Sequence, residues 1–323
     1  MIKRDGSKKD IFNNFFVFRL FIMNNKIQEA TSTFKLNAKT FSFAAKLLNR
    51  EKYEAVARLY AFCRYIDDLA DNDKLPGRNH KKLICIREDL SNDETSDEIL
   101  KDLLFLKKEY DIPTNIFLDF MDGIIADQYP RELQTSDDLI RFAYGVASTV
   151  GLMMCYIFDV RDPKAFPFAI DLGIAMQMSN TCRDILEDAK RGRIYLPREL
   201  LNSPITCKGI IDGDAAMRKS AHDAAKKVIV IADKYYASAA FGYGYLPMSV
   251  RYTIKIAARL YQAIGDKVTS SPSSYWQKRS IVPKYKKIYL IFLLLWKRLH
   301  QGSSTRLINK TTHCSDLHKA LEK

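Results

Sequence analysis

Two carboxylate-rich segments, far apart in the chain, carry the residue types that bind divalent cations. The first reads Tyr60-Ala-Phe-Cys-Arg64-Tyr-Ile-Asp67-Asp68-Leu-Ala-Asp71, and the second Gln177-Met-Ser-Asn180-Thr-Cys-Arg183-Asp184-Ile-Leu-Glu187-Asp188-Ala-Lys-Arg191-Gly192-Arg193-Ile-Tyr195. On a helix, residues four apart share a face. Asp67 and Asp71 therefore stack one turn apart, and Asn180, Asp184 and Asp188 stack over two turns. Like charges at that spacing repel, so an isolated helix gains nothing from them. Two such stripes facing each other would hold a hard cation through oxygen ligands. Mg²⁺ (or Mn²⁺) shared between a few carboxylates and substrate phosphate oxygens is the arrangement expected for a phosphorylated substrate. The candidate metal ligands are Asp67, Asp68, Asp71, Asn180, Asp184 and Asp188. A solvated acidic face would show similar carboxylates. Here Ile66, Leu69, Ala70, Ile185 and Leu186, together with embedded arginines, favour partly buried helices.

The arginines admit two readings. Arg64–Asp68 and Arg183–Glu187 are i,i+4 pairs and would serve as helix salt bridges. Arg64, Arg183 and Arg193 would alternatively present planar forks to diphosphate oxygens, the reading favoured for Arg64 and Arg193 and left open for Arg183. Arg193 has no such partner in sequence and follows Gly192, a helix-ending residue, which would place it where the second stripe stops.

The elements that must position these side chains are helical. Apolar residues recur mostly at three- and four-residue spacing, giving candidate helices over 51–71, 98–109, 114–127, 136–158, 165–190, 214–240 and 248–265. Strand signals are few. No repeat or low-complexity block divides the 323 residues, so one helical domain over 24–300 is expected, followed by a basic tail at 301–323. Residues 1–23 read as a disordered extension or an upstream start. Their apolar run Ile11–Met23 is interrupted by Asn and Arg, too short to span a bilayer and without a signal-peptidase site.

The six cysteines are scattered, as in a reducing compartment. Histidines 80, 222, 300, 313 and 318 show no zinc-ligand spacing. From Arg251 onward there are 15 Lys+Arg against 3 Asp+Glu, a net of +12 in a chain of +13. Such a basic stretch suits a solvated surface, a nucleic acid or an anionic membrane. Lys284–Arg298 wraps an apolar run between basic clusters with Tyr and Trp at its edges, which suits a core helix or a membrane surface better than nucleic acid.

The two stripes resemble the aspartate motifs of the squalene/phytoene synthase family of head-to-head prenyl transferases, and the resemblance runs from about Leu36 to Lys287. Tyr144-Gly-Val-Ala-Ser-Thr-Val-Gly151 is similar to the family's Tyr-Gly-Val-Ala-Gly-Thr-Val-Gly stretch, with Ser148 in place of a glycine. Lys39-Thr40-Phe41-Ser42-Phe43 resembles its early Lys-Ser-Phe-Ser. The resemblance implies an all-α, single-domain isoprenoid-synthase bundle around a central apolar cavity. Asp67, Asp71, Asp184 and Asp188 would be catalytic through metal and diphosphate. Thr40, Ser42, Arg64, Arg183 and Arg193 would bind diphosphate, and Phe41, Tyr60 and Gln177 would line the substrate. Tyr144 matches the tyrosine beside the reacting carbons. Phe43 and Phe62 join Phe41, Tyr60 and Tyr144 as aromatics able to face a carbocation.

Three activities share this scaffold: phytoene, dehydrosqualene and squalene synthesis. Ser-Tyr-Trp276-Gln-Lys-Arg279-Ser-Ile-Val-Pro-Lys284 and Leu246-Pro247 look like the bacterial phytoene synthases. The expectation is Mg²⁺-dependent condensation of two geranylgeranyl diphosphates to phytoene through a cyclopropyl diphosphate. Farnesyl diphosphate is the alternative substrate, and a basic helical membrane- or RNA-binding scaffold the non-enzymatic alternative. The expected location is cytoplasmic with peripheral membrane contact through the basic segment. No nucleic-acid partner is expected.

Overall fold

A computed structural model describes residues 26–38, 41–71, 79–128, 132–270, 275–277, 283 and 312–322. Residues 26–37 form helix α1. There follow α2 (Phe41–Ala45), α3 (Arg50–Asp71), α4 (His80–Asn92), α5 (Glu98–Glu109), α6 (Thr114–Ala126), α7 (Ser136–Ala143), a π-helical segment (Tyr144–Ser148) and α8 (Thr149–Ile157). Then come α9 (Phe166–Arg183), α10 (Ile185–Lys190), α11 (Cys207–Asp212), α12 (Ala215–Gly242) and α13 (Met248–Ser270). No strand occurs among the described residues, and the fold is all-α as expected.

Local chemistry fixes the helix ends. Thr135 and Asp138 form a capping box at the start of α7. Asp97 caps α5, and Asp214 caps α12 by accepting from the Met217 amide. Helix α3 buries Val56, Leu59, Phe62, Cys63 and Ile66, a three–four repeat facing the core. Helix α9 is sheathed by α8, α12 and α13, and it buries residues around most of its circumference. That central placement explains why it reads as apolar throughout its first half.

Two long helices of the sequence reading are broken. The 136–158 helix carries the π segment at 144–148, where Gly145 packs backbone to backbone on Gly123 of α6. A Cβ on either glycine would stand under 3.0 Å from the other's Cα. Ser148, on the same segment, donates through Oγ to the Ile170 carbonyl. Gly173 makes room for it, since a Cβ there would lie 2.5 Å from Ser148 Cα. The 165–190 helix is interrupted at Asp184 (φ −105°, ψ 15°). Its hydrogen-bond ladder nevertheless continues, with the Asp184 amide on the Asn180 carbonyl at 2.9 Å and the Asp188 amide on the Asp184 carbonyl at 2.8 Å. The stripe survives the kink because those bonds keep its register.

Ser136–Ile157 is long and apolar enough to cross a bilayer. It packs instead against α6 and α9 inside the bundle. At the C-terminal end, Ser315–Leu321 forms a 3₁₀ turn on α7, with Ala320 buried. The segment expected to meet a membrane lies in 284–311, outside the described residues, as do residues 1–25.

Candidate active site

The ends of α3 and α9, with α10 and the residue after α6, enclose a polar pocket of about 190 Å³. Its walls carry Asp67, Asp71, Asp127, Asn180, Asp184, Asp188, Arg191, Arg193 and Tyr195. Beneath it runs an apolar cavity of about 310 Å³ lined by Phe41, Tyr60, Met154, Ala169, Leu172, Gly173, Met176, Ala257 and Tyr261, among others. Val146, Gln177 and Asn180 belong to both walls, so the two spaces meet there. Along α9 the lining runs from Asn180 at the junction through Ala169 to Phe168, twelve residues earlier. At 1.5 Å per residue that is a depth of about 18 Å.

The carboxylates are held under electrostatic tension. Burial, and then the neighbouring Asp71 charge, push Asp67 up to about 7. Burial, and then Asp184, push Asp188 up to about 8. Arg193 donates from Nη1 to Asp71 Oδ1 at 3.0 Å and lies 3.6 Å from Asp127 Oδ2. Although burial works against its charge, Tyr195, Asp127 and Asp71 hold Arg193 above its ordinary value. Arg191 donates to the other Asp71 oxygen at 3.0 Å. Tyr195 donates to Asp127 Oδ2 at 2.7 Å while its ring stacks on Phe142 at 4.4 Å.

This pocket fits a hard divalent cation. Its donors are carboxylate and amide oxygens. Asn180 Oδ1 is buried without a hydrogen-bond partner among the described residues, and a buried acceptor of that kind is costly unless a cation or donor reaches it. Asp67 and Asp188, raised by burial and then by the neighbouring Asp71 and Asp184 charges, would likewise return to the charged form beside a divalent ion.

Asp67, Asp71, Asn180, Asp184, Asp188, Gln177 and Arg193 meet in the polar pocket, and Phe41, Tyr60 and Gln177 line the cavity. Other residues singled out in the sequence stand elsewhere. Asp68 is off the pocket wall and accepts from Arg64 Nε and Nη2, so the helix salt bridge is the arrangement formed by that pair. Arg183 does not reach Glu187; it forks onto Asp184, with Nε 2.7 Å from Oδ1. It thereby orients one stripe carboxylate. Ser42 is buried on α2, outside both walls, and Thr40 lies outside the described residues. Phe62 packs on Phe117 and Phe120 in the core, and Phe43 sits beside α13. Tyr144 is on neither wall and donates to Asp119 Oδ2 at 3.0 Å. Burial, and then Asp119, push its hydroxyl up to about 12.

Asp127 and Arg191 are additions that the motif spacing did not select. Asp127 follows the end of α6 and has no carboxylate four residues away, so no stripe marks it.

The squalene/phytoene synthase family model matches residues 34–286. The chain belongs to the squalene/phytoene synthase family. Among curated relatives, it is 31% identical over 269 residues to a 15-cis-phytoene synthase of Enterobacter agglomerans, covering 80% of this chain and 90% of that one. It is 29% identical to a 15-cis-phytoene synthase of Pantoea ananas, covering 83% and 91%. Among solved structures, a dehydrosqualene synthase with a bound ligand shares the fold at TM-score 0.72 and 23% identity, over 85% of this chain and 97% of that one. A squalene synthase from Alicyclobacillus acidocaldarius shares it at TM-score 0.65 and 20% identity, over 77% and 94%. This squalene/phytoene synthase family member is therefore a prenyl transferase of the head-to-head type, most like the bacterial phytoene synthases.

Proposed function

We propose that this enzyme joins two geranylgeranyl diphosphates into phytoene through a cyclopropyl diphosphate, using Mg²⁺. The observation that carries the reading is the junction at Gln177 and Asn180, where an acidic pocket opens onto an apolar cavity. A diphosphate head group suits the first space and a prenyl chain the second. The phytoene synthases among its relatives support geranylgeranyl diphosphate as the donor and acceptor.

Asp67, Asp71, Asn180, Asp184 and Asp188 would hold the metal. Bound Mg²⁺ neutralises charge developing on the departing diphosphate. Arg191 and Arg193 exchange their Asp71 contacts for phosphate oxygens, and Arg183 keeps Asp184 aimed at the pocket. Tyr60 and Tyr261 present rings along the cavity to the carbocation, and the apolar wall keeps water from it. The C2–C3 alkene of the second prenyl chain would then attack C1 of the first as its diphosphate departs, and loss of a proton from that C1 would close the cyclopropane ring onto C3 of the second chain. The cyclopropyl intermediate ionises in turn, rearranges and loses a proton.

Incubation with geranylgeranyl or farnesyl diphosphate, each with and without NADPH and with Mg²⁺ or EDTA, followed by mass analysis, tests the reading. Phytoene from the C20 substrate alone supports it. A C30 product from farnesyl diphosphate, with no phytoene, replaces it with dehydrosqualene or squalene synthesis. The basic run 284–298 is proposed to bind anionic membranes and let an apolar product pass into lipid. Replacing Lys284, Lys286, Lys287, Lys297 and Arg298 by Gln should abolish low-salt vesicle co-sedimentation and spare activity in detergent. Undiminished co-sedimentation would remove this segment from the membrane contact.

A further inference from the structure

Asp171 sits in the middle of α9 with no exposed surface, away from the acidic pocket. No lysine or arginine pairs with it among the described residues. Its partners are Ser238 Oγ, 2.6 Å from Oδ2, and two imidazoles from the far end of the chain. His313 Nε2 stands 2.9 Å from Oδ2 and His318 Nε2 2.8 Å from Oδ1, with the two rings 4.4 Å apart. A buried carboxylate is stable only when its charge is matched.

Two imidazole nitrogens and one carboxylate form the three-protein-ligand set that zinc takes when a fourth position is left to water. The donor atoms of Asp171, His313 and His318 all lie within 4.8 Å of one another. Around Zn²⁺ with bonds of about 2.0–2.2 Å, tetrahedral ligand atoms stand roughly 3.3 Å apart. Each imidazole nitrogen now stands 2.8–2.9 Å from the carboxylate oxygen it touches, so an ion would need each ring to draw back from that oxygen by a few tenths of an ångström. The histidine side chains are 11% and 18% exposed, which leaves an approach from solvent on that side. The hydroxyl of Ser238 donates to Oδ2, the oxygen that also faces His313, and so orients the carboxylate as the outer partners of metal-binding carboxylates do.

We propose that Asp171, His313 and His318 form a zinc site that fastens residues 312–322 to α9. The site is prepared by contacts that place the segment without metal. Tyr235 donates to the Leu317 carbonyl at 2.7 Å, and Arg141 Nη1 to the Ala320 carbonyl at 3.0 Å. Metal bound here would brace the same helix that carries Gln177 and Asn180 to the active site. Its nitrogen donors separate it chemically from the all-oxygen Mg²⁺ pocket. His313 and His318 are five apart, a spacing that fits neither an α-helical face nor the familiar zinc patterns, so only the 3₁₀ turn after Cys314 brings them together.

The test uses the full-length protein carrying Cys85→Ser and Cys314→Ser, which removes the two exposed thiols as rival ligands. Zinc is titrated against a chromophoric chelator in excess Mg²⁺, which occupies the acidic pocket. About one equivalent should bind. Affinity should drop about tenfold or more in His313→Ala and in His318→Ala. Asp184→Asn should retain it. Co²⁺ should give a visible d–d band in the parent that both histidine variants lose, and Zn²⁺ should raise the parent's Tm but not theirs. If an alanine variant does not fold, His318→Gln preserves a side-chain amide for Asp171 without an imidazole. A folded parent that binds no more zinc than these variants, and shows no d–d band, overturns the site and leaves a hydrogen-bonded clasp.

Discussion

Arg193 donates to Asp71 at 3.0 Å and so joins the ends of two acidic motifs separated by 122 residues. The same guanidinium lies 3.6 Å from Asp127, and Arg191 takes the second Asp71 oxygen. Among the described residues on the pocket wall, these two arginines supply positive charge beside the gathered carboxylates. They stand where a diphosphate would compete for them.

Arg193→Gln should lower turnover about a hundredfold or more, the scale of losing one aimed electrostatic donor. Arg193→Lys should recover little of it, because a single ammonium cannot present a fork to two acceptors. Steady-state pyrophosphate release measures both. Full activity of the lysine variant would show that charge alone is needed.

Asp68 and Asp71 should separate sharply although both lie in the first motif. Asp71 lines the pocket, whereas Asp68 is occupied by Arg64 outside it. Asp71→Asn, like Asp67→Asn, Asp184→Asn and Asp188→Asn, should cost about a hundredfold or more in turnover. Asp68→Asn should cost no more than about tenfold, as an exposed helix pair contributes little. Equal losses at Asp68 and Asp71 would place Asp68 among the metal ligands after all.

The stability of the metal-free protein should fall as pH rises. Asp67 and Asp188 titrate near 7 and 8 when folded but near 4 when unfolded. Across that window the folded state holds protons that the unfolded state has released, so each unit of pH lowers unfolding free energy. In EDTA, Tm should decline between about pH 5 and pH 8. Asp188→Asn should flatten the decline and raise Tm at pH 8 by a few degrees, on the order of 1–2 kcal/mol. Mg²⁺ should restore the parent. A flat parent profile in EDTA would contradict the burial of these charges.

Ala169→Phe should shorten the usable cavity, since Ala169 lies about 16 Å along α9 from the junction at Asn180. Turnover of geranylgeranyl diphosphate should fall more than about tenfold, while farnesyl diphosphate is turned over within a few-fold of the parent rate. Overpacking should cost about 1–3 kcal/mol of stability, checked by denaturant melts. Parallel loss on both substrates would move the chain-length limit to another wall.

The all-α class, most helix positions and the two carboxylate stripes that meet in one pocket were legible in the residues, because 3.6-residue periodicity and i,i+4 spacing are local properties that survive without partners. The same spacing offered the Arg64–Asp68 bridge only as the rival of a diphosphate contact, and the folded chain forms the bridge. Tertiary structure decided what local spacing cannot encode. It broke the 136–158 helix where Gly145 meets Gly123, and it turned Arg183 from Glu187 to Asp184. It gave Tyr144 to Asp119 and drew Asp127, which lies on no stripe, to Arg193. It carried His313 and His318 back to Asp171 across more than a hundred residues of chain. Each of these pairings depends on which helices pack together, and burial then sets its strength: the same charges spread along an unfolded chain would be solvated and indifferent to one another.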